Sequence, residues 1–193
     1  MSSSSEVPPP WAGLAPVGPY PYEETHDLRT GPDLHKSLLP LLPLVGVWRG
    51  RGQGGYPTIE EFHYGQEIRF SHDGRPFLHY ESRAWLIEVD GTPIRPAHRE
   101  IGWWRTGPGP DEIEALLTAP TGFLELYVGR AEKTTQWELA TDAVVRTAEA
   151  KEVRGGKRLY GIVEGALLYA YDMAGVGQPL QSHLSARLER IAG

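Results

Sequence analysis

The segment Gly46-Val47-Trp48-Arg49-Gly50-Arg51-Gly52 carries the strongest fold signal in the chain. Its glycines alternate, and glycine inside a strand costs conformational entropy, so the spacing marks a sharp bend or a close approach of two backbones. Such bends allow a sheet to close on itself. We expect Trp48 to fill the closed end of a barrel, with its indole N–H bonded to a partner. Taken alone, Gly46, Trp48, Gly50 and Gly52 favour a structural strand start over direct ligand contact.

From Leu44 onward, apolar and polar residues alternate and are interrupted at short intervals by Gly, Pro and Asp, which predicts an antiparallel all-β domain. Two Asp-Gly turns follow each other, and the first joins strands 59–70 and 77–87, with His79 expected opposite Ile68. The other predicted strands cover 100–105, 112–119, 123–131, 136–141, 144–149, 158–163 and 166–172, with a first strand at the glycine-rich segment and a last one near His183. About ten short strands without long helices predict a closed up-and-down barrel with a ligand cavity, because closure removes both sheet edges.

The N-terminal region has a different composition, rich in proline, serine and glycine. Proline disrupts both ladders and helices, so residues 1–32 are predicted to be a flexible or loosely docked tail, and residues 33–193 the barrel domain. A short helix capped by Asp33 is expected to run through Leu42 before Pro43 stops it, with its leucines on one face. That helix would plug one end of the barrel.

Composition excludes several classes of protein. The net charge of −6 and pI of about 5.6, with no Lys/Arg-rich run, give no footprint for nucleic acid. The chain has no cysteine, which excludes disulfides, thiolate-bound zinc, iron–sulfur clusters and a cysteine nucleophile. Neither a signal-peptide pattern nor a stretch long enough to span a membrane occurs, so a cytoplasmic protein is expected. Hydrolase and nucleotide-binding motifs are also missing from the sequence.

Five blocks of sequence, in the same order and with similar spacing, resemble the nitrobindin family. They are Gly46-x-Trp48-x-Gly50-x-Gly52, Tyr56-Pro57-Thr58-Ile59, Gly74-Arg75-Pro76-Phe77-Leu78, Ala150-Lys151-Glu152-Val153, and Val176-Gly177-Gln178-Pro179-Leu180-Gln181-Ser182-His183-Leu184. The resemblance implies a ten-stranded antiparallel barrel that carries one haem b at a solvent-exposed mouth. It also implies nitric oxide binding, isomerisation of peroxynitrite to nitrate on ferric haem, and a homodimer.

The resemblance assigns three residues to the haem. His183 matches the proximal iron ligand, while Thr58 and Lys151 match positions that contact the haem, where a hydroxyl and an ammonium suit the propionates. On the residues alone, the pattern favours His183 as an exposed polar side chain on the last strand, and Lys151 is equally a plain surface lysine. His79 departs from the family pattern, which leaves the character of the distal pocket open.

The last segment has an ambiguous period. Leu180, Leu184 and Leu188 fit a helix, and the same leucines fit an alternating strand in which His183 faces away from them. The resemblance makes this the closing strand, with His183 toward the haem and the leucines outward.

Two alternatives remain open at this level. The first is a haem-free carrier of a small apolar ligand, similar to fatty-acid-binding proteins, which would place arginine and tyrosine deep inside to hold a carboxylate and would have no use for His183. The second is a haem scavenger that releases its ligand, which the off-rate of haem would distinguish.

Overall fold

The structure, a computed structural model described here for residues 7–193, is a closed antiparallel barrel. Its ten strands pair in chain order, and β1 pairs with β10 to close the ring. The strands are β1 Gly46–Tyr56, β2 Ile59–Ser71, β3 Leu78–Ile87, β4 Pro93–Thr106, β5 Glu112–Ala119, β6 Phe123–Lys133, β7 Gln136–Arg146, β8 Val153–Val163, β9 Ala166–Gly175 and β10 Gln178–Ala192. A 3₁₀ helix, Lys36–Leu44, precedes them. The predicted all-β up-and-down barrel with a short N-terminal helix is confirmed.

The glycine-rich segment forms β1, between β2 and β10. At Gly52 an added Cβ would collide with the ring of Tyr64 and the carbonyl of Ser185, and at Gly50 it would collide with the backbone of β10. These glycines are therefore required for close approach, as their alternation predicted.

Two tryptophans and the 3₁₀ helix close one end of the barrel. Trp48 is fully buried and donates its indole N–H to the carbonyl of Leu44 at 2.8 Å, and Trp137 donates to the carbonyl of Pro40 at 2.8 Å. Three helix leucines are fully buried in the same core; they are Leu38, Leu41 and Leu44. Trp48 therefore occupies the predicted place.

The helix itself differs from the prediction. Its cap is His35, whose Nδ1 accepts a hydrogen bond from the backbone N–H of Ser37 at 3.2 Å, and not Asp33. It is a 3₁₀ helix that continues past Pro43 to Leu44. Both Pro40 and Pro43 lack the N–H that an α-helix interior needs, so the chain adopts the tighter turns of a short 3₁₀ helix instead.

Two strand predictions were wrong in register or extent. His79 pairs with Ser71, while Ile68 pairs with Ser82, because β3 begins only at Leu78 and the connection is longer than an Asp-Gly turn. The two strands predicted over 136–149 are one strand, β7. Its register against β6 skips Asp142, so a β-bulge interrupts the alternation that suggested a break.

The N-terminal segment touches the barrel at Thr25. The backbones of Thr25 and His72 exchange two N–H···O bonds of 2.8 Å each, and the Glu24 carboxylate accepts a hydrogen bond from Ser71. Residues 7–32 otherwise contain no helix or strand, and their aromatic side chains are exposed; they are Trp11, Tyr20 and Tyr22. Residues 1–6 of the predicted tail lie outside the described residues.

Candidate functional site

An open cavity of about 510 Å³ lies inside the barrel and is lined by side chains of β2, β3, β4, β6, β8, β9 and β10. Its wall is largely apolar and includes Phe62, Leu86 and Met173. Polar and charged groups stand at the rim and at the floor. At the rim these are Arg95, His98, Lys151 and His183.

His183 enters this cavity because of a β-bulge. On β9, Asp172 pairs with Ser182 and the next residue, Tyr171, pairs with Leu184, so His183 is the extra residue of β10. A bulge turns one side chain out of the strand's alternation. His183 and its neighbour Leu184 therefore both line the cavity, which a regular strand would not permit.

The imidazole of His183 is held at one nitrogen. Its Nδ1 lies 2.9 Å from the carbonyl of Gly55, so the Nδ1–H tautomer donates there and Nε2 keeps its lone pair. Burial lowers the pKa of His183, which favours the neutral ring. The rings of Tyr56 and Tyr171 flank it, with centroids at 5.3 and 5.9 Å. A neutral, oriented imidazole is what a metal ligand requires.

The other predicted site residues have different outcomes. Lys151 lines the same cavity as His183, in the connection between β7 and β8. Thr58 is exposed in the turn between β1 and β2, next to Ile59, which does line the cavity. The contacts of Thr58 and Lys151 with haem stay predictions.

His79 does not belong to the distal pocket. It lies in a separate surface cleft of about 310 Å³ together with Glu24 and Trp103, and its Nδ1 is 3.5 Å from the Glu24 carboxylate. The sequence left the effect of His79 on the haem pocket open, and the structure places His79 outside the cavity, because the longer β2–β3 connection moves its register and its side chain faces outward.

The orientation of the last leucines was also wrong. Leu188 is fully buried in the barrel core, and Leu184 packs against that core. Leu180 is 52% exposed. The sequence placed the leucines opposite His183 because it gave no sign of the bulge between Ser182 and Leu184.

Sequence analysis missed a charged cluster in the floor of the cavity. Arg158 of β8 donates two hydrogen bonds to Glu100 of β4, at 2.6 and 2.8 Å, and one to Glu125 of β6 at 3.3 Å. Glu125 is fully buried, and each of the other two is 4% exposed. The rings of Tyr127 and Tyr171 lie 4.8 Å from the guanidinium carbon. One signal was present, since Arg158 stands two residues before Tyr160 and so on the same inward face of β8.

The two carboxyl groups of this cluster differ electrostatically. Burial acts to raise the pKa of Glu100, but the charge of Arg158 and its two hydrogen bonds outweigh burial and lower it. At Glu125 burial prevails over the weaker contact with Arg158, and the pKa is raised. Glu100 is therefore the group that ionises more readily, and Glu125 is the group that retains its proton more readily.

A family profile described as "THAP4-like, heme-binding beta-barrel domain" matches residues 37–190. The chain belongs to this THAP4-like haem-binding β-barrel family. A Salinispora arenicola protein named peroxynitrite isomerase is 64% identical, and the match covers 100% of both chains. A "ferric nitrobindin-like protein" of Saccharopolyspora erythraea is 48% identical over 88% of this chain and 81% of its own. The resemblance to nitrobindins is thus confirmed.

One solved structure is similar to most of this chain. The crystal structure of Rv2717c from M. tuberculosis has a TM-score of 0.72 and 40% sequence identity, and the match covers 82% of this chain and 99% of that one. Among residues 7–193, no helix is long and apolar enough to cross a membrane.

The residues of the cavity fit a haem. A neutral imidazole with a free Nε2 suits axial ligation of iron, apolar walls suit the porphyrin face, and Lys151 and Arg95 at the rim suit carboxylates. No cluster of three or more His, Cys, Asp or Glu side chains that could hold a bare metal ion occurs in the described part of the chain. The donor set therefore agrees with the cofactor of the family.

Proposed function

We propose that this protein binds one haem b through His183 and isomerises peroxynitrite to nitrate. The observation that carries the proposal is His183 on the β10 bulge, anchored through Nδ1 by the Gly55 carbonyl and facing an open, largely apolar cavity. The relatives named peroxynitrite isomerase, at 58–64% identity, support the activity. Thr58 and Lys151 are proposed as further haem contacts.

Bound ferric haem would supply a Lewis acid that weakens the O–O bond of peroxynitrite. His183 would hold the iron, because burial lowers the pKa of the imidazole and so favours the neutral form that can ligate. Lys151 and Arg95 place positive charge at the rim, where it attracts an anion. Isomerisation needs no net proton transfer, which agrees with a rim that lacks a paired acid and base.

The floor cluster argues against the rival carrier of a fatty-acid-like ligand. That reading expected an arginine and tyrosines deep inside, and Arg158, Tyr127 and Tyr171 are there. However, Glu100 already occupies the guanidinium with two hydrogen bonds. A ligand carboxylate would have to displace a buried, bonded carboxylate, which is costly.

The test is the absorption spectrum of the protein reconstituted with hemin, beside His183→Ala and a control, His63→Ala. His63 is exposed on β2. The parent and the control are expected to give the same Soret band, and His183→Ala to lose or shift it. Stopped-flow mixing of the ferric protein with peroxynitrite should then show faster decay with nitrate as the main product, dependent on His183. A parent that takes up no hemin would overturn the proposal and favour the apolar-ligand barrel.

Three further properties belong to the same proposal. Nitric oxide would bind the haem, and a Soret shift on addition of the gas tests this. The homodimer is tested by sedimentation of the haem-loaded protein, and the cytoplasmic location by fractionation of cells that express the chain.

A further inference from the structure

The floor of the cavity has a charge imbalance that its hydrogen bonds do not resolve. Glu100 and Glu125 are two carboxyl groups, and Arg158 is the one cation among residues 7–193 that bonds to them. All three side chains are at most 5% exposed. If both carboxyl groups were ionised, one negative charge would be buried without compensation, which is strongly unfavourable.

The contacts indicate which carboxyl carries the excess. Glu100 receives two short bonds from Arg158, at 2.6 and 2.8 Å, whereas Glu125 receives a single long one at 3.3 Å to Oε2. The other oxygen of Glu125, Oε1, is buried and has no hydrogen-bond partner among the described residues. Because that oxygen is buried and receives no hydrogen bond, a negative charge on Glu125 would be poorly compensated, and the contacts favour the neutral acid.

We propose that the Glu100–Arg158–Glu125 cluster is a one-proton site, with the proton on Glu125, so that the floor of the cavity is neutral at neutral pH. Other groups bearing on Glu125 are phenols: Tyr127 on its own strand and Tyr171 on β9. Further phenols surround Arg158; they are Tyr80 on β3, Tyr160 on β8 and Tyr169 on β9. Burial raises the pKa of each of these phenols, so they remain neutral as well.

The residues that pair with Glu125 on its two neighbouring strands carry no charge. Leu117 of β5 and Val144 of β7 pair with it. His98 lies two residues before Glu100 on β4, and burial lowers its pKa, so it too is neutral. The described neighbours therefore leave Glu125 without a second cation.

The protonation state of Glu125 affects which ligands the cavity can bind, an argument that rests on the proposed function. Peroxynitrite and nitrate are anions, and an unprotonated Glu125 would repel them from below. A proton on Glu125 removes that repulsion, so Glu125 sets which charge the cavity accepts. We assign it a positioning role toward anions rather than a catalytic one.

Infrared spectroscopy of the full chain tests the proton without haem. A buried carboxylic acid gives a C=O stretching band that carboxylates lack, and that shifts in D₂O. We expect this band in the parent at pH 7. Glu125→Gln should abolish it, and Glu100→Gln should also abolish it, because the remaining carboxylate then has Arg158 to itself. The exposed Glu132→Gln is the control and keeps the band.

Aspartate variants, whose side chain is one methylene shorter, show whether the C=O band belongs to Glu125. Glu125→Asp is expected to move the frequency of the band, whereas Glu100→Asp leaves it in place. Should the variants fail to fold, the parent alone decides, since a parent without the band at pH 7 overturns the proposal. A band that Glu125→Gln leaves unchanged overturns it too.

Azide binding to the ferric, haem-loaded protein tests the consequence. Parent and Glu125→Gln have the same net floor charge under the proposal, so their azide affinities at pH 7 should agree within about twofold, an interaction difference of less than ~0.5 kcal/mol. Roughly tenfold tighter azide binding by Glu125→Gln would show that the parent carries a buried negative charge and overturn the proposal. If the protein takes up no haem, the proposed function is contradicted but the proposal about the Glu125 proton is not, because the infrared experiment is done without haem.

Discussion

His183 shows how a single residue acquires a function from its local backbone. The resemblance to the family identified His183 as the candidate ligand, but it did not give the direction of the side chain. A β-bulge adds one residue to a strand, and an alternating sequence pattern does not reveal where that residue lies. The bulge and the Gly55 carbonyl together orient the ring.

Lys151 is the residue at the rim whose contribution we expect to be small. Lys151→Ala should weaken hemin affinity by less than about fivefold, the range of an exposed ion pair, and the loss should shrink at high salt. Hemin titration at low and high ionic strength measures it. The exposed Lys133→Ala is the matched control and should leave the affinity unchanged. Equal affinities for Lys151→Ala and the parent would remove Lys151 from the site.

The burial of His72 predicts that its contribution to the free energy of unfolding decreases in mild acid. The side chain is fully buried, neither ring nitrogen has a partner among the described residues, and burial lowers its pKa. The unfolded chain therefore binds a proton first as the pH falls through about 6.5, and the free energy of unfolding decreases with it. Urea unfolding between pH 7 and 5 should show this slope.

An apolar replacement separates His72 from the other groups. His72→Phe is expected to reduce the slope, while the exposed His63→Phe leaves it as in the parent. Burial also lowers the pKa values of His98 and His183, which add to the slope, whereas a proton that Glu125 holds in the folded state opposes it. A His72→Phe protein with the same slope as the parent would contradict the prediction.

Among the elements, β1 requires glycine because side-chain and backbone atoms of β2 and β10 lie where a Cβ atom would be. Gly52→Ala would force a methyl group into the Tyr64 ring and the Ser185 carbonyl, and we expect a loss of about 1–3 kcal/mol, typical of overpacking. Chemical denaturation measures it. Gly161→Ala on β8 is the control, since its nearest atom would be 3.9 Å away. A Gly52→Ala protein as stable as the parent would contradict this prediction and would mean that Tyr64 and the β10 backbone move aside at little energetic cost.

The elements also show what sequence patterns could reveal. The barrel, most strand positions and the burial of Trp48 followed from alternation, turn residues and glycine spacing. The register of β3, the bulges at Asp142 and His183 and the 3₁₀ helix did not, since each depends on neighbours distant in the chain. The floor cluster joins β4, β6 and β8, so no local window contains it.

For the whole molecule, we propose that residues 33–193 fold on their own as the barrel domain. A chain that begins at residue 33 loses the two backbone bonds between Thr25 and His72, worth about 1–2 kcal/mol, so its melting temperature should fall by ~3–8 °C while hemin uptake persists. Differential scanning calorimetry measures the change. A chain that begins at residue 20 keeps the bridge and should melt as the parent does. Loss of hemin uptake on removal of residues 1–32 would place part of the site in the tail.

Closure of the ring by β1 and β10 also imposes an order of events on synthesis. The first strand must wait, with one edge unpaired, until the final strand leaves the ribosome. His183 lies on that final strand of the barrel, so the proposed iron ligand cannot be in position on any nascent chain that stops before it. Haem capture would therefore report a completed barrel, and a message truncated before Gln178 would yield a product without the proposed iron ligand.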